Sequence, residues 1–234
     1  MRWIVGLAVL VLALPAHALV EIQWIEIGDP GNDPDMLANC HAADCGSVPY
    51  TYFIGKYEVT NAQYVAFLDA KAASDPLELY NTNMGSSEQG GITRSGSTGS
   101  FTYDVKPGFE NKPVNFVSFY DSLRFANWLN NGQGDGDTED GAYTLLGGTP
   151  TPSNWNTVTR NPGAVVFLPS ENEWYKAAYY DGLSATYFAY PAGTDTITVC
   201  SAPTATANRA NCSGSVGGVT NLGVDTGSGS PYGT

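Results

Sequence analysis

The apolar positions near the start of the chain alternate with polar ones, as they do in a strand that buries one face. Residues 21–27 (EIQWIEI) follow this pattern, and residues 51–59 (TYFIGKYEV) repeat it. Thr60 then stands at an N-cap position, and the apolar residues after it recur at i, i+3 and i+4, which predicts a helix with one face on the core. That face consists of Tyr64, Phe67 and Leu68.

Two further helices have clearer start signals. Ser118 with Asp121, and Ser170 with Glu173, place a hydroxyl residue three positions before an acid, which is the pattern of a capping box. The sequence at 130–132 (NNG) is typical of a helix C-terminus and ends the earlier of the two. We expect the buried positions to be Phe125, Trp128 and Leu129 in the earlier helix and Trp174, Ala177 and Ala178 in the later one.

Glycine, serine, threonine, asparagine and aspartate dominate the segments between the helices. The longest segments, residues 85–99, 132–141 and 147–156, are predicted to be irregular. Loops of this length in a compact domain normally carry a binding surface or local ties. The pattern predicts one domain with few helices, short strands and much ordered coil.

Residues 1–18 have the composition of a secretory signal peptide. Arg2 supplies a positive charge, residues 4–14 are apolar apart from Gly6, and residues 16–18 (AHA) have the small-x-small sequence of a cleavage site. The apolar run is shorter than the roughly 20 residues that a helix needs to cross a bilayer. We therefore expect a mature protein of residues 19–234 that is secreted or periplasmic, with no membrane insertion after the signal is removed.

The charge balance argues against a nucleic-acid partner. Ten lysines and arginines against 23 aspartates and glutamates give a net charge of −13, whereas phosphate binding needs clustered basic side chains. The histidines are His17, within the predicted signal, and His41. A Ser-His-Asp triad or a multi-histidine zinc site would depend on His41 alone, so hydrolases of the common kinds are disfavoured.

The four cysteines form two pairs that are close in sequence, Cys40 with Cys45 and Cys200 with Cys212. An even number of cysteines in an exported chain favours disulfides, and pairing within each close pair makes the smallest demand on the fold. The alternative for Cys40, His41 and Cys45 is a metal site, but the neighbouring sequence supplies no fourth ligand. We expect two disulfides.

Three segments together resemble the formylglycine-generating-enzyme, or sulfatase-modifying-factor, family. Residues 52–64 (YFIGKYEVTNAQY) resemble its opening strand and helix, and residues 112–121 (KPVNFVSFYD) resemble its second strand-to-helix join. Residues 167–178 (FLPSENEWYKAA) are similar to its "LPtEaEWEyAA" helix. The resemblance runs from about residue 21 to residue 234 and is closest to exported bacterial members.

The resemblance implies an α+β fold related to C-type lectins, with Tyr57, Trp128 and Trp174 as core aromatics. Enzymes of the family oxidise a substrate cysteine to formylglycine with oxygen and with copper held by two cysteines in a C-terminal segment. The sequence stops before the position of that segment, so we expect a domain that is truncated at its C-terminus. Cys200 and Cys212 do not stand in the context of the copper ligands, and the resemblance identifies no catalytic residue. Copper is expected only if the cysteine pair lies further downstream.

One metal-binding residue follows from the resemblance. Asn211, after Ala210, resembles the asparagine of a calcium site in the family, and oxygen donors suit calcium. The alternative is a plain loop asparagine, because no acidic partner is evident downstream.

Two functions remain open at this stage. The first is an exported, non-catalytic module that binds a protein or a glycan. The alternative is a fragment of a copper-dependent oxidase that converts a substrate cysteine to formylglycine. A calcium-dependent lectin is a weaker third hypothesis, because the sequence lacks an EPN-type ligand triplet.

Overall fold

A computed structural model describes residues 19–36 and 44–234 of the chain. This part of the protein has a mixed α+β architecture with few helices and short strands, as predicted. The helices are α1 (Asn61–Lys71), α2 (Asn83–Ser86), α3 (Phe119–Asn130) and α4 (Glu171–Tyr179). The strands are β1 (Trp24–Ile27), β2 (Tyr52–Gly55), β3 (Ile92–Ser95), β4 (Thr102–Val105), β5 (Tyr180–Asp181), β6 (Thr186–Tyr187), β7 (Val199–Cys200) and β8 (Arg209–Ala210).

Within the described ranges the strands form four separate two-stranded sheets. The pairs β1–β2, β3–β4 and β5–β6 are antiparallel, and β7–β8 is parallel. Strands β1 and β2 confirm the two predicted strand segments, although both are shorter than the alternating patterns. Strand β3 corrects the prediction of an irregular segment at 85–99, because its sequence ITRS contains a single large apolar residue and gives little strand signal.

All three predicted helix starts are confirmed. Thr60, Ser118 and Ser170 are N-caps, and each belongs to a capping box in which the third helical residue bonds back to the cap backbone. Asn131 is the C-cap of α3 and Gly132 follows with φ 75°, which confirms the predicted end of that helix. No helix in the described ranges is long and apolar enough to cross a membrane.

The main core lies between α1, α3 and the β3–β4 hairpin. Its centre is a cluster of aromatic rings in which Phe67 stands 5.4 Å from both Phe125 and Trp128, measured between ring centroids. Tyr64 and Leu68 complete the predicted buried face of α1, and Leu129 packs against the cluster. The predicted faces of α1 and α3 are therefore confirmed.

The predicted buried face of α4 is wrong at Trp174 and confirmed at Ala177. Trp174 is 53% exposed, and the buried residues of the helix are Glu173, Lys176 and Ala177. The stripe was assigned from apolar spacing, but this helix buries charged residues that have polar partners. The Lys176 ammonium, for example, donates to the carbonyl of Asp29 at 2.7 Å.

The prediction that Tyr57 is a core aromatic is also wrong. Its side chain is 37% exposed. Tyr57 comes two residues after β2 ends, in a bend, and its ring lies beside Gly223 in the C-terminal coil instead of against the core. Of the three aromatics expected in the core, Trp128 is buried.

Three tyrosines on and after α4 form a polar layer against the acidic segment at 29–35. Tyr187 lies 5.6 Å from Tyr175 and 4.9 Å from Tyr180, measured between ring centroids. The Tyr175 hydroxyl donates to Asp35 at 2.9 Å, and the Tyr180 hydroxyl donates to Asp29. Burial raises the pKa of Tyr175 and Tyr180, and the carboxylates that their hydroxyls contact raise it further. The pKa of Tyr187 is raised by burial, by the neighbouring tyrosines and by Asp35. We call these residues the tyrosine layer.

Candidate functional site

A cleft of about 310 Å³ opens at the N-terminus of α3. Three chain segments enclose it: the strand-to-helix join before α3, the turn at 77–81 and the loop at 150–151. The lining residues are Leu77, Glu78, Asn81, Phe116, Ser118, Phe119, Tyr120, Asp121, Pro150 and Thr151. None of the ten is a histidine, cysteine, lysine or arginine, so the lining offers apolar contacts, hydrogen bonds and negative charge.

Aromatic side chains form one wall of the cleft. Phe119 is 61% exposed, although it is the first residue of α3, and its ring packs edge-on against Tyr120 at 5.5 Å. Phe116 is also exposed and has a φ of 64°. A bulky residue in the left-handed region costs of order 1–3 kcal/mol, and such conformations are concentrated at functional sites. The join is thus held in an unfavourable backbone conformation that presents aromatic rings to solvent.

The opposite wall is a turn whose backbone is held by the Asp75 side chain. The buried Asp75 carboxylate accepts hydrogen bonds from the backbone N–H groups of Leu79 at 2.8 Å and Tyr80 at 3.3 Å. Arg94 pairs with the same carboxylate at 3.3 Å. Burial raises the pKa of Asp75, and these hydrogen bonds and Arg94 oppose that rise. The turn places Glu78, with φ 56° and an exposed side chain, at the mouth of the cleft.

A buried arginine connects the floor of the cleft to its third wall. Arg124 on α3 is fully buried and makes a two-pronged ion pair with Glu139, at 2.6 and 3.1 Å. Its guanidinium also donates to Asp121 at 3.2 Å and to the carbonyls of Thr149 and Pro150 at 2.8 and 2.9 Å. Burial raises the pKa of Asp121, while Ser118 and Arg124 act in the opposite direction. Arg124 therefore fixes the loop that carries Pro150 relative to α3.

The Ser118 hydroxyl in the cleft lining is already engaged. Ser118 Oγ donates to Asp121 Oδ2 at 2.6 Å and accepts from the Asp121 N–H at 3.2 Å as the N-cap of α3. A serine nucleophile needs a base that can remove its proton, usually a histidine. The lining residues include no histidine, so they supply no imidazole base to Ser118.

The second capping box with an arginine partner lies at the start of α4, away from the cleft lining. Arg160 makes a two-pronged ion pair with Glu173, at 2.9 and 2.6 Å, and Tyr50 donates to the same carboxylate at 2.8 Å. Burial by itself would raise the pKa of Glu173, but hydrogen bonds from Arg160, Ser170 and Tyr50 hold it below its ordinary value. This arrangement stabilises the α4 terminus.

The predicted disulfide between Cys200 and Cys212 is confirmed, with Cα atoms 4.9 Å apart. It joins the last residue of β7 to the coil two residues after β8. Cys40 lies outside the described residues, so its pairing with the buried Cys45 stays a prediction.

Asn211 directly follows β8 and is half-buried. Its side-chain nitrogen donates to the carbonyl of Gly218 at 2.8 Å. The Asn211 side-chain oxygen supplies one ligand, whereas calcium takes six to eight oxygen ligands. Within the described ranges no group of three or more histidine, cysteine, aspartate or glutamate side chains is arranged to hold a metal. Calcium binding at Asn211 stays a prediction.

The described residues do not fit the copper site that the family resemblance implies. That site needs two thiolates, and a sulfur in a disulfide is not a thiolate ligand. Cys200 and Cys212 are bonded to each other, and no cysteine in the described ranges is a free thiol. We derive no oxidative step from these residues.

The cleft residues were not recognised from the sequence. Residues 112–121 were interpreted as a fold-forming motif, and Glu78 lies in a segment without any motif. The available signal was that Phe116 and Phe119 fall outside the apolar stripe of α3, which begins further along the helix at Leu123. Aromatic residues that precede a helical stripe need another partner, and here they line an open cleft.

Comparisons with known proteins identify the family. No curated protein matches the chain, and no solved structure matches it. Residues 32–215 match the family model described as the Sulfatase-modifying factor enzyme 1-like domain. The match includes all four helices, the cleft and the Cys200–Cys212 disulfide. The chain therefore belongs to the sulfatase-modifying-factor domain family.

Proposed function

We propose that this domain is an exported, non-catalytic binding module, and that its cleft binds an extended segment of a protein with apolar and basic side chains. The observation that carries the proposal is the combination of exposed aromatic rings with a free carboxylate across the cleft. Phe116, Phe119 and Tyr120 form one side, and Glu78 stands on the other. Exposure in a secreted or periplasmic compartment is supported by the disulfide, since disulfides persist in oxidising environments.

The aromatic wall favours a binding role over a purely structural one. Aromatic side chains are enriched where proteins contact partners, because one ring buries a large apolar area at a small cost in conformational entropy. An exposed Phe119 beside a strained Phe116 contributes nothing to the folded core. Both features are accounted for by a ligand that covers the rings.

The charges favour a basic protein segment over a neutral glycan. Glu78 lines the cleft with an exposed side chain that makes no hydrogen bond or ion pair within the described ranges, whereas the buried Asp121 carboxylate is already paired with Arg124. Lysine and arginine side chains bind both to carboxylates and to aromatic faces. The net charge of −13 attracts basic partners at long range.

The binding experiment uses two labelled peptides of equal length, one containing leucine and arginine and one containing leucine and glutamate, together with neutral oligosaccharides. We expect the basic peptide to bind, Phe119→Ala to weaken it roughly tenfold or more, and Glu78→Gln to weaken it and reduce its salt dependence. Phe53→Ala is the matched control, since Phe53 is 58% exposed on β2 outside the cleft lining. Equal binding of the acidic peptide, or unchanged binding by both cleft variants, would contradict the proposal. Binding of an oligosaccharide instead would assign a glycan ligand to the cleft.

The alternative function, a fragment of a copper-dependent oxidase, rests on family membership. It is tested by incubating the copper-loaded chain in air with a sulfatase-type Cys-x-Pro-x-Arg peptide. We expect no formylglycine above a copper-only control by mass spectrometry, because the described cysteines are not free thiols. Formation of the aldehyde that depends on Cys200 or Cys212 would establish the alternative.

A further inference from the structure

The first described residues of the chain are held by side-chain amides. Gln133 binds both backbone groups of Val20: its Oε1 accepts from the Val20 N–H at 2.6 Å, and its Nε2 donates to the Val20 carbonyl at 2.8 Å. Gln63 donates to the carbonyl of Glu21 at 2.8 Å. Two glutamines from separate helical regions thus fix two consecutive residues that belong to no helix or strand.

The position of Gln133 depends on the end of α3. The Gln133 N–H donates to the carbonyl of Trp128 at 2.9 Å, and that of Gly132 donates to Leu129 at 3.1 Å, which together form a Schellman-type C-terminus. Gly132 and Gln133 both have positive φ, 75° and 62°. Glycine adopts this conformation freely, whereas glutamine does not. The strained conformation directs the Gln133 side chain to the backbone of Val20.

We call the two hydrogen bonds between Gln133 and Val20 the amide clamp. A small cavity of about 150 Å³ adjoins this clamp. Leu19, Trp128 and Gln133 line it, together with the carboxylates of Asp69 and Asp135, and no lysine or arginine is among its lining residues. The buried Nε1 of Trp128 has no hydrogen-bond acceptor. Asp69 also accepts from the backbone N–H of Tyr103 at 3.1 Å, while Asp135 is exposed at the rim.

The clamp coincides with the predicted processing point. Cleavage after Ala18 makes Leu19 the first residue, so Gln133 binds the second residue of the mature chain. Cleavage replaces a neutral peptide bond at Leu19 with an α-ammonium group, which carries a positive charge below its ordinary pKa of about 7.7–8.0. This charge forms at a cavity lined by Asp69 and Asp135. Lys71 is not among the lining residues, but its ammonium donates to the carbonyl of Gly136 at 2.8 Å and interacts with Asp135 from outside the cavity.

We propose that this cavity is a docking site for the mature N-terminus, in which Gln133 holds Val20 and Asp135 with Asp69 binds the new α-ammonium group. The inference rests on the proposed cleavage after Ala18, but docking can be tested without export. Removal of the signal then strengthens the attachment of the strap formed by residues 19–23 to the ends of α1 and α3. The uncleaved chain has the same amide clamp without the charge.

The test compares three forms of the chain: one starting at Leu19 with a free amino group, the same form acetylated at that amino group, and one extended by residues 16–18. Hydrogen exchange of the Val20 amide is measured at pH 6.5. We expect exchange in the free-amine form to be roughly two- to fivefold slower than in the other two, the range typical of a partly exposed ion pair. Equal exchange in the three forms would overturn the proposal.

Variants distinguish the effect of the α-ammonium charge on Val20 exchange from the effect of the Gln133 hydrogen bonds. Asp135→Asn is expected to remove the difference between free and acetylated forms, and the exposed Asp104→Asn, on the β4 strand, serves as the matched control that retains it. Gln133→Ala is expected to accelerate Val20 exchange in all forms. A free-amine advantage that persists in the Asp135→Asn variant would refute the assigned contact. Separately, N-terminal sequencing of the exported full-length chain shows whether Leu19 is the first residue, so a failed cleavage prediction is distinguished from failed docking.

Discussion

Residues 60–130 and residues 182–234 are stabilised by different means. The earlier region buries a continuous cluster of aromatic and aliphatic side chains between two capped helices and a hairpin. The structure describes all of the later region, and Ser230 is the single buried residue in it. That region is held by the Cys200–Cys212 disulfide, by turns and by hydrogen bonds to the rest of the domain, such as the one from Leu222 N–H to the Asn111 carbonyl at 2.8 Å.

The difference shows how a chain with a modest core can order a long segment of coil. Apolar burial contributes about 25 cal/mol per Å² removed from water, but residues 182–234 have few large side chains inside. Their order depends instead on local covalent and backbone ties, which constrain the segment without a core of its own. The two regions are therefore expected to respond to different perturbations.

The strongest perturbation of the earlier region is Phe67→Ala. Phe67 is fully buried and contacts the rings of Phe125 and Trp128, so truncation leaves a cavity. We expect a loss of about 3–5 kcal/mol in the free energy of unfolding, measured by urea denaturation. Phe53→Ala, at an exposed position, is expected to change it by less than about 0.5 kcal/mol. Similar losses in the two variants would mean that the aromatic cluster is not the main core.

The corresponding perturbation of the later region is the double variant Cys200→Ser/Cys212→Ser. Opening a loop with a sequence separation of 12 is expected to cost about 2–3 kcal/mol. The physical effect falls on the coil around β7 and β8, so amide hydrogen exchange should accelerate there and stay slow in α1 and α3. Faster exchange in both regions would show that they unfold as one cooperative unit.

The Arg160–Glu173 ion pair adds a pH dependence at the start of α4, between the two regions. Because the pKa of Glu173 is lower in the folded state than in the unfolded chain, the pair stabilises the fold above the ordinary glutamate pKa of about 4.3. That stabilisation is lost as the pH falls through the lower folded-state pKa. Glu173→Gln is expected to cost roughly 1.5–3 kcal/mol at pH 7 and less at pH 3, as measured by urea denaturation at both pH values. Glu26→Gln, at an exposed position on β1, is the control, and an equal cost at both pH values would contradict this role.

The smallest expected effect is that of Ser170→Ala. The variant loses the hydrogen bond from the Glu173 N–H to Ser170 Oγ, at 3.2 Å, which caps α4. We expect a loss of about 1 kcal/mol in the free energy of unfolding, measured by thermal or urea denaturation. Ser74→Ala, at an exposed position in the bend after α1, should have no measurable effect. A neutral Ser170→Ala variant would indicate that Glu173 alone secures the helix start.

The parts of the fold that follow from local chemistry were predictable from the sequence. Capping boxes depend on residues three positions apart, so Thr60, Ser118 and Ser170 could be identified as helix starts without knowledge of the rest of the fold. The Cys200–Cys212 disulfide followed from short spacing. The buried face of α1 followed from a stripe whose members are all apolar.

The features that depend on distant partners were not predictable. The true buried stripe of α4 includes Glu173 and Lys176, which are tolerated inside because Arg160 and the Asp29 carbonyl lie opposite them. Apolar spacing alone predicts instead that Trp174 is buried. The cleft likewise unites Glu78 with Phe119, which are far apart in sequence and have no common motif.

The tyrosine layer has a consequence for the behaviour of the protein in alkali. The pKa values of Tyr175, Tyr180 and Tyr187 are raised in the folded state, so their phenols keep their protons at a pH where free tyrosine becomes phenolate. The unfolded chain releases these protons above its ordinary tyrosine pKa of about 10, and the folded state loses stability as the pH rises from there. High pH therefore favours unfolding because the unfolded chain loses these protons more readily. The phenolate absorbance of these three tyrosines is expected to appear together with unfolding.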